Sequence, residues 1–283
     1  MDKAEWVKKI KSQRVLPSKS LGQNFLIDDL VSEKIIDAAN ITENDYILEI
    51  GPGMGALSEG LQKYSCPYVA VEIDEHMKES LDPLFSLSEK DRLIISDFLK
   101  LDYKNLLYDG SAPNICVSNL PYYVMTPIMM KLFRHWHDFH TMVFMVEKIS
   151  CERIFSKPGS KQYGPLSIIS SAFGEKEKLF DVNASAFFPP PHTISSVLRF
   201  TASDEKRGIP AVFYPFVHAA FSQRRKTLLN SLSSGALFPE GKKQVEDFLG
   251  KAKISFTERA ENIEWKKYAE MACLLEDMIV HQK

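Results

Sequence analysis

The chain has 283 residues, of which 45% are hydrophobic, and its formal net charge is −2. It can bury a sizeable core in one large or two modest domains. No apolar run approaches the roughly 18 to 20 residues that span a bilayer, and charges stand where a signal peptide has its apolar segment. We therefore expect a cytoplasmic protein with no membrane association. The cysteines lack zinc-site spacing, so we expect reduced thiols and no metal at Cys66, Cys116, Cys151 and Cys273.

Charge is distributed unevenly along the chain. Residues 1–24 carry six basic and two acidic residues, residues 206–283 carry thirteen and nine, and the segment between them carries sixteen and twenty-six. Basic ends on an acidic body fit a polyanionic partner held at the ends, although ordinary solvated faces give the same pattern. We divide the chain accordingly into a basic N-terminal arm (1–24), a central domain (25–205) and a C-terminal domain (206–283).

Regular elements can be predicted in order along the chain. Apolar residues at helical spacing in 26–41 predict a helix that begins near Asp28 or Asp29. Short apolar runs then alternate with helix or loop segments and predict strands at 46–51, 68–74, 92–97, 115–119 and 141–146. Two later runs, near 178–184 and 194–201, predict antiparallel strands at the end of the sheet. The alternation predicts an α/β domain with a mixed, mostly parallel sheet.

The C-terminal part of the sequence is helical in character. Gly208 and Pro210 mark a linker. Beyond them, apolar periodicity predicts a small helical domain with helices at 211–235, 242–252 and 265–283.

A glycine-rich loop follows the first predicted strand of the sheet. Gly51, Gly53 and Gly55 form a G-x-G-x-G pattern that is preceded by an acid, Glu49. Glycine permits a tight turn and close approach of the backbone to a ligand, although a purely structural turn has the same composition.

Two carboxylates end the next two predicted strands. Glu72 lies 21 residues beyond Gly51, where a carboxylate can accept hydrogen bonds from ribose hydroxyls, and Asp97 is placed to meet an adenine amino group. Carboxylates without basic partners fit S-adenosyl-L-methionine, which has adenine and ribose but no phosphate. Capping of the following helix is the alternative role for each acid. Ligands of open α/β sheets bind at the carboxyl ends of the strands, where these residues fall.

The fourth predicted strand ends in "SNLPYY", and this motif resembles the signature of methyltransferases that act on the amino group of adenine. Together with other segments it resembles the small-subunit ribosomal RNA adenine dimethyltransferase family. The resemblance extends from Lys19 to Tyr268 and rests on "LGQNFL", "EIGPGMGALS", "VEID", "SDFL", "FFPPPHTISSVLRF", "FSQRRKTLLNSL" and "RAENI". It implies a Rossmann-like methyltransferase domain that binds S-adenosyl-L-methionine through Asn24, Leu26, Gly51, Glu72, Asp97 and Asn119. Tyr123 stands where many members have asparagine.

The resemblance also implies how the "NLPY" motif works. The exocyclic nitrogen of adenine is a poor nucleophile, and acceptors that hold its hydrogens favour attack. The Asn119 side chain and a carbonyl near Leu120 are the candidate acceptors, Pro121 fixes their turn, and Tyr122 is placed to stack on the target base. A strand-ending turn with a core tyrosine is the alternative.

Two further segments are candidates for contact with RNA. Phe187 is a candidate for the other face of the target base, although phenylalanines beside proline runs also pack in cores. Arg224, Arg225 and Lys226 are candidates for phosphate contacts, and a solvated helix face is the alternative.

The resemblance predicts an enzyme that dimethylates the N6 amino groups of two adjacent adenosines in small-subunit (16S) ribosomal RNA. It would act as a monomer on a pre-ribosomal small subunit. One alternative is a ribosome-assembly or RNA-binding factor without catalysis. Another is a large-subunit ribosomal RNA adenine methyltransferase, but those relatives tend to carry isoleucine in place of Leu120 and lack the "QRRKTLLNSL" segment.

Overall fold

The computed structural model describes residues 2–12, 17–18, 22–86, 88–121 and 123–281. The chain forms two compact units. The first comprises Met1–Cys151 and Lys176–Ala202, and the second comprises Glu152–Glu175 and Ser203–Lys283. No helix that the structure describes is long and apolar enough to cross a membrane.

The first unit is built on a mixed sheet. In the described residues its strands are β2 (Ile47–Ile50), β3 (Tyr68–Glu72), β4 (Asp91–Ile95), β5 (Ile115–Asn119), β6 (Thr141–Glu147), β7 (Gly174–Val182) and β9 (Ser195–Ala202). Their order is β4-β3-β2-β5-β6-β9-β7. The pairs β4-β3, β3-β2, β2-β5 and β5-β6 are parallel, and β9 runs antiparallel to β6. The predicted α/β fold with a mostly parallel sheet is confirmed.

Helices occur in both units. The described helices are α1 (Lys3–Ser12), α2 (Asp29–Asp37), α3 (Ser58–Leu61), α4 (Lys78–Phe85), α5 (Met125–Arg134), α6 (Lys148–Ile154), α7 (Pro165–Phe173), α8 (Phe213–Ala220), α9 (Leu228–Leu232), α10 (Lys242–Lys251) and α11 (Trp265–His281). All residues of β2 and β3 are buried, which is why these strands appear in the sequence as continuous apolar runs without alternation. Asp28 caps α2 by accepting a hydrogen bond from the Val31 amide, as its position in the sequence predicted.

A second, two-stranded sheet joins distant parts of the first unit. Strand β1 (Phe25–Leu26) pairs antiparallel with β8 (Phe187–Phe188), with Phe25 opposite Phe188 and Leu26 opposite Phe187. The "QNFL" and "FFPPP" segments, which are more than half the chain apart, therefore meet in one small ladder.

The start of the chain is a packed helix, whereas the sequence suggested a basic arm over 1–24. In α1, Trp6 and Ile10 lie one turn apart and are both buried, and the Trp6 indole donates to Asp29 Oδ1 at 2.7 Å. These two apolar side chains give α1 a face that docks on the first unit, while its lysines stay at the surface. Residues 13–16 and 19–21 of the arm lie outside the described residues.

The second unit begins earlier in the chain than the boundary assigned from composition. Residues 152–175 were assigned to the central domain 25–205, but α7 packs against α8 and α11. Leu166, Ile168 and Phe173 of α7 are all buried, so this helix needs neighbours on several sides.

The helix predicted over 211–235 is two helices. Between α8 and α9 the chain turns through 221–227, so the "QRRK" residues lie on a turn and not on a helix face. Thr227 is extended, and its hydroxyl accepts from the Asn230 amide at 3.4 Å, which starts a new helix at Leu228.

Candidate active site

A cleft opens at the carboxyl ends of strands β2, β3, β4 and β5 in the first unit. The space between its walls measures about 1010 Å³, a figure that includes the part open to bulk solvent. Its lining includes every residue predicted to bind the cofactor, which are Asn24, Leu26, Gly51, Glu72, Asp97 and Asn119. Leu120 and Pro121 also line it. Parallel strands that end at one edge bring together residues that are far apart in sequence.

The glycine loop that follows β2 forms the floor of the cleft. Gly51 and Gly53 have positive φ angles of 70° and 56°, which other residues rarely adopt. A Cβ atom at Gly53 would lie 3.2 Å from the Phe25 ring, so a larger residue would also push against β1. The Gly51 amide donates to the Val71 carbonyl at 2.9 Å and thereby fixes the loop to β3.

Glu72, the last residue of β3, is only 3% exposed. Its two oxygens accept hydrogen bonds from the amides of Gly53 and Asp74, each at 2.9 Å. Burial raises the pKa of this carboxyl, and the two amide bonds oppose that effect. Each oxygen retains a second lone pair, so the side chain can organise the glycine loop and still accept a ligand hydroxyl.

Glu49 lies beneath the loop, and sequence reasoning assigned it no role beyond its position before the glycines. It is 1% exposed, and its Oε2 accepts from the hydroxyls of Ser58, at 2.7 Å, and Tyr68. Burial raises its pKa to about 7, against the lowering effect of these two bonds, and the charge of Glu72 raises it further. Glu49 ties together β2, β3 and α3 at the lining of the cleft.

Asp97 and Lys131 shape the loop after β4. Asp97 Oδ1 accepts from the Leu99 amide at 2.9 Å, so this acid both caps a turn and lines the cleft. The Lys131 ammonium donates to the carbonyls of Phe98, at 2.6 Å, and Leu101, at 2.5 Å. Burial lowers the Lys131 pKa. Lys131 was not singled out from the sequence, where it is one lysine in an amphipathic helix.

The turn after β5 is fixed at three points. The Ser118 hydroxyl donates to the Ile50 carbonyl, the Leu120 amide donates to Met145 at 3.1 Å, and the Val124 amide donates to Pro121 at 3.2 Å. By contrast, the half-buried Asn119 side chain makes no hydrogen bond with the described part of the chain. A rigid backbone thus presents a free amide to the cleft. Tyr122 lies outside the described residues.

The segment before β1 forms the outer wall. Asn24 Nδ2 donates to the Gly22 carbonyl at 3.1 Å, and Gln23 donates to Asp74 Oδ2 at 2.8 Å. Tyr123, which is 53% exposed, packs against Gly22: a Cβ atom there would lie 3.1 Å from the tyrosine ring. Tyr123 therefore joins the N-terminal wall to the turn that carries Asn119.

The remaining candidates are not among the residues that line the cleft. Phe187 is 3% exposed and belongs to the core, where it pairs with Leu26, while Phe188 is only partly buried. Phe187 thus supports the wall formed by β1. Arg224, Arg225 and Lys226 are exposed and belong to the second unit.

The donor set of the cleft fits S-adenosyl-L-methionine. Carboxylates and the side-chain amides of Gln23, Asn24 and Asn119 line it, and none of the described lining residues is lysine or arginine. A site without cations disfavours the pyrophosphate of a dinucleotide and favours a cationic ligand that carries hydroxyl and amino groups.

Comparison with known proteins gives one consistent result. Residues 17–277 match the family model described as Ribosomal RNA adenine dimethylase. A protein named Ribosomal RNA small subunit methyltransferase A from Shouchella clausii is 40% identical over 262 residues, covering 90% of this chain and 88% of that protein. A protein of the same name from Clostridioides difficile is 35% identical, covering 91% of this chain and 90% of that protein.

Two solved structures share the fold. A dimethyladenosine transferase from Plasmodium falciparum superposes with a TM-score of 0.70 at 22% identity, covering 89% of this chain and 98% of that one. The 23S rRNA methyltransferase ErmE superposes with a TM-score of 0.58 at 19% identity, covering 89% and 100%.

Proposed function

The chain belongs to the ribosomal RNA adenine dimethylase family, and we propose that it dimethylates the N6 amino groups of two adjacent adenosines in small-subunit (16S) ribosomal RNA. Its activity as an S-adenosyl-L-methionine-dependent ribosomal RNA adenine dimethyltransferase follows from the family. The choice of subunit is supported by relatives of up to 40% identity whose names specify the small subunit. The 23S enzyme shares the fold at 19% identity.

The observation that carries the proposal is the free side chain of Asn119, held on a fixed turn in the same cleft as Glu72 and Asp97. In the proposed site Glu72 accepts hydrogen bonds from the ribose, Asp97 accepts from the adenine amino group of the cofactor, and Gly51 allows close approach. Asn24, Leu26 and Asn119 complete the wall. When bound, S-adenosyl-L-methionine supplies an electrophilic methyl group.

Asn119 and the carbonyl of Leu120 then hold the hydrogens of the target amino group. This arrangement favours a pyramidal nitrogen whose lone pair is free to attack. Because the backbone turn that carries both acceptors is fixed before the substrate arrives, little reorganisation of that turn is needed during the reaction. The proton that leaves nitrogen after methylation is acidic and passes to water, so the site requires no strong base. Tyr122 is the residue proposed to stack on the target base after it leaves the RNA helix.

We assign RNA binding to the second unit through Arg225, Lys226 and their neighbours. The partner is a pre-ribosomal small subunit in the cytoplasm, and one copy of the chain carries the complete set of site residues and acts as a monomer. Exposed cations of this kind bind the phosphate backbone and make affinity depend on salt.

The test is incubation of the protein with methyl-labelled S-adenosylmethionine and small subunits that lack the modification, followed by digestion of the RNA to nucleosides. We expect labelled dimethyladenosine from small-subunit RNA and none from large subunits or DNA. Label in large-subunit RNA would overturn the choice of subunit. Cofactor binding without label in any nucleic acid would favour a non-catalytic assembly factor.

A further inference from the structure

Three turns of the second unit meet at one place on its surface. They are 157–163 before α7, 222–226 between α8 and α9, and 259–263 before α11. The Gly159 amide donates to the Glu261 carbonyl at 2.7 Å, and the buried Tyr163 hydroxyl donates to Ile263 at 2.9 Å. The first turn is therefore anchored at its middle and at its end.

Arg224 makes the third anchor. Its Nη2 donates to the carbonyl of Lys161 and to that of Tyr163, the latter at 3.3 Å. A guanidinium has only donors to offer, and these two carbonyls engage one of its nitrogens. Arg224 thus holds the 157–163 turn against the 222–226 turn.

The two cations that follow Arg224 in the chain make no such contact with another turn that the structure describes. Arg225 and Lys226 are exposed, and neither forms an ion pair within the described part of the chain. The same is true of Lys157 and Lys161 on the turn that Arg224 holds. Both arginines are exposed, but Arg224 donates hydrogen bonds to the neighbouring turn, whereas Arg225 forms no ion pair with the described residues.

The charges of these turns are of one sign. The segments 157–163 and 222–226 contain five basic residues and no acid. The third turn adds no net charge, because Arg259 lies 3.8 Å from Glu261. Exposed cations without acidic partners on two adjoining turns form a patch suited to a polyanion, and lysines serve as point charges for phosphates.

We propose that Arg224 is a positioning residue, and that the 157–163 turn it holds is a second phosphate-binding element for the RNA. The basic turn surface then consists of Lys157, Lys161, Arg225 and Lys226. This inference rests on the proposed function for the identity of the polyanion. It adds two lysines to the RNA contacts and removes Arg224 from them.

The experiment measures binding of small-subunit ribosomal RNA at several salt concentrations for single and combined variants. Lys157→Gln with Lys161→Gln removes two phosphate contacts, so the slope of log K against log salt becomes shallower by about 1.4 to 1.8. Lys63→Gln with Lys90→Gln is the matched control. These exposed lysines precede β3 and β4, at the edge of the sheet opposite the cleft, and we expect the wild-type slope.

Combination with Arg224→Ala tests the positioning role. In Arg224→Ala the 157–163 turn is no longer held in place, so the two lysine substitutions should produce little further change in the slope of log K against log salt. In an Arg225→Ala background the same two substitutions should change that slope as much as they do in the wild-type protein. Amide hydrogen exchange across 157–163 becomes faster in Arg224→Ala and stays at the wild-type rate in Arg225→Ala.

Three results would overturn the inference. They are a wild-type slope for the double lysine variant, full additivity with Arg224→Ala, and unchanged exchange in that variant. Dimethyladenosine formation by the wild-type protein is assayed in parallel. Normal methylation with an unchanged slope rejects the second phosphate-binding element alone, and a changed slope without methylation rejects the proposed reaction alone.

Discussion

The cleft of the first unit and the basic turn surface of the second are built on opposite principles. Glu72 in the cleft is 3% exposed, and both of its oxygens accept backbone amides. Arg225 and Lys226 on the surface are exposed and make no ion pair with the described residues. The cleft holds the carboxylates of Glu72 and Asp97 through backbone amides before a ligand arrives, whereas the surface leaves its cations without acidic partners in the described chain.

This difference sets the size of the effects that single changes produce. In the cleft, low exposure strengthens each interaction, and a removed partner leaves an unsatisfied group. On the surface, water and salt screen each cation, so contributions are small and add up. We expect cleft variants to lose activity or stability in large steps and surface variants to lose affinity gradually.

The largest effect is expected for Asn119→Ala. Loss of this acceptor, which a fixed turn carries, should lower kcat for dimethylation by about 10²- to 10³-fold, by analogy with the loss of one preorganised polar contact at the reacting group. RNA affinity should remain within about twofold of wild type, because phosphate contacts supply most of it. Single-turnover methylation and filter binding measure the two quantities. Asn44→Ala, in an exposed turn, is the control. Equal loss of binding and rate would contradict the role of Asn119.

The next largest effect is expected for Glu49→Gln, in the way that the free energy of unfolding depends on pH. The pKa of Glu49 is raised from 4.5 to about 7, so the folded state keeps a proton that the unfolded state releases near pH 4.5. The contribution of this group to stability therefore falls as pH rises from about 4.5 to about 7, by about 3 kcal/mol in all. In Glu49→Gln this fall should be absent. Urea unfolding at pH 5 and pH 8 measures the difference, and parallel pH profiles would contradict it.

A smaller effect is expected on the surface. Arg225→Gln with Lys226→Gln should make the salt slope of RNA binding shallower by about 1.4 to 1.8 and weaken binding roughly tenfold at low salt. Cofactor affinity should be unchanged. Isothermal titration with the cofactor and RNA binding at several salt concentrations provide both measurements. A loss that does not depend on salt would show that these residues do not act through phosphate.

Tyr123 lines the cleft and yet is 53% exposed. Its substitution therefore tests whether the size of a variant's effect depends on position in the cleft or on exposure to solvent. Tyr123→Phe keeps the ring against Gly22 and should change the cofactor Kd by less than about twofold. Tyr123→Ala removes that contact and should weaken binding about fivefold, or about 1 kcal/mol. Titration with the cofactor distinguishes the two variants, and a larger loss for phenylalanine than for alanine would refute the packing role.

Much of the first unit could be predicted from sequence because its signals are local. Strands buried on both faces appear as apolar runs, and acids or amides that directly follow such runs mark the ligand edge of the sheet. Glu72, Asp97 and Asn119 were found in this way, and all three line the cleft.

Interactions between distant segments could not be predicted. The pairing of Phe25 with Phe188 has no local signal, and neither has the contact of Arg224 with the 157–163 turn. Within "QRRK" all three cations look alike in sequence, and only the neighbours of Arg224 separate it from Arg225. The assignment of 152–175 to the second unit also has no local signal, because the linker at Gly208 and Pro210 pointed to a single boundary near residue 205.

Residues 152–175 leave the first unit for the second, and the chain then returns to the first at Lys176. This path limits how the protein can be divided into fragments. A fragment that stops after Ala202 would keep α7 but lose α8 and α11, against which α7 packs. Leu166, Ile168 and Phe173 would then face water and favour aggregation. The two units are therefore inseparable by a single cut. A catalytic fragment would have to be made by replacing residues 152–175 with a short linker as well as by ending the chain at 202.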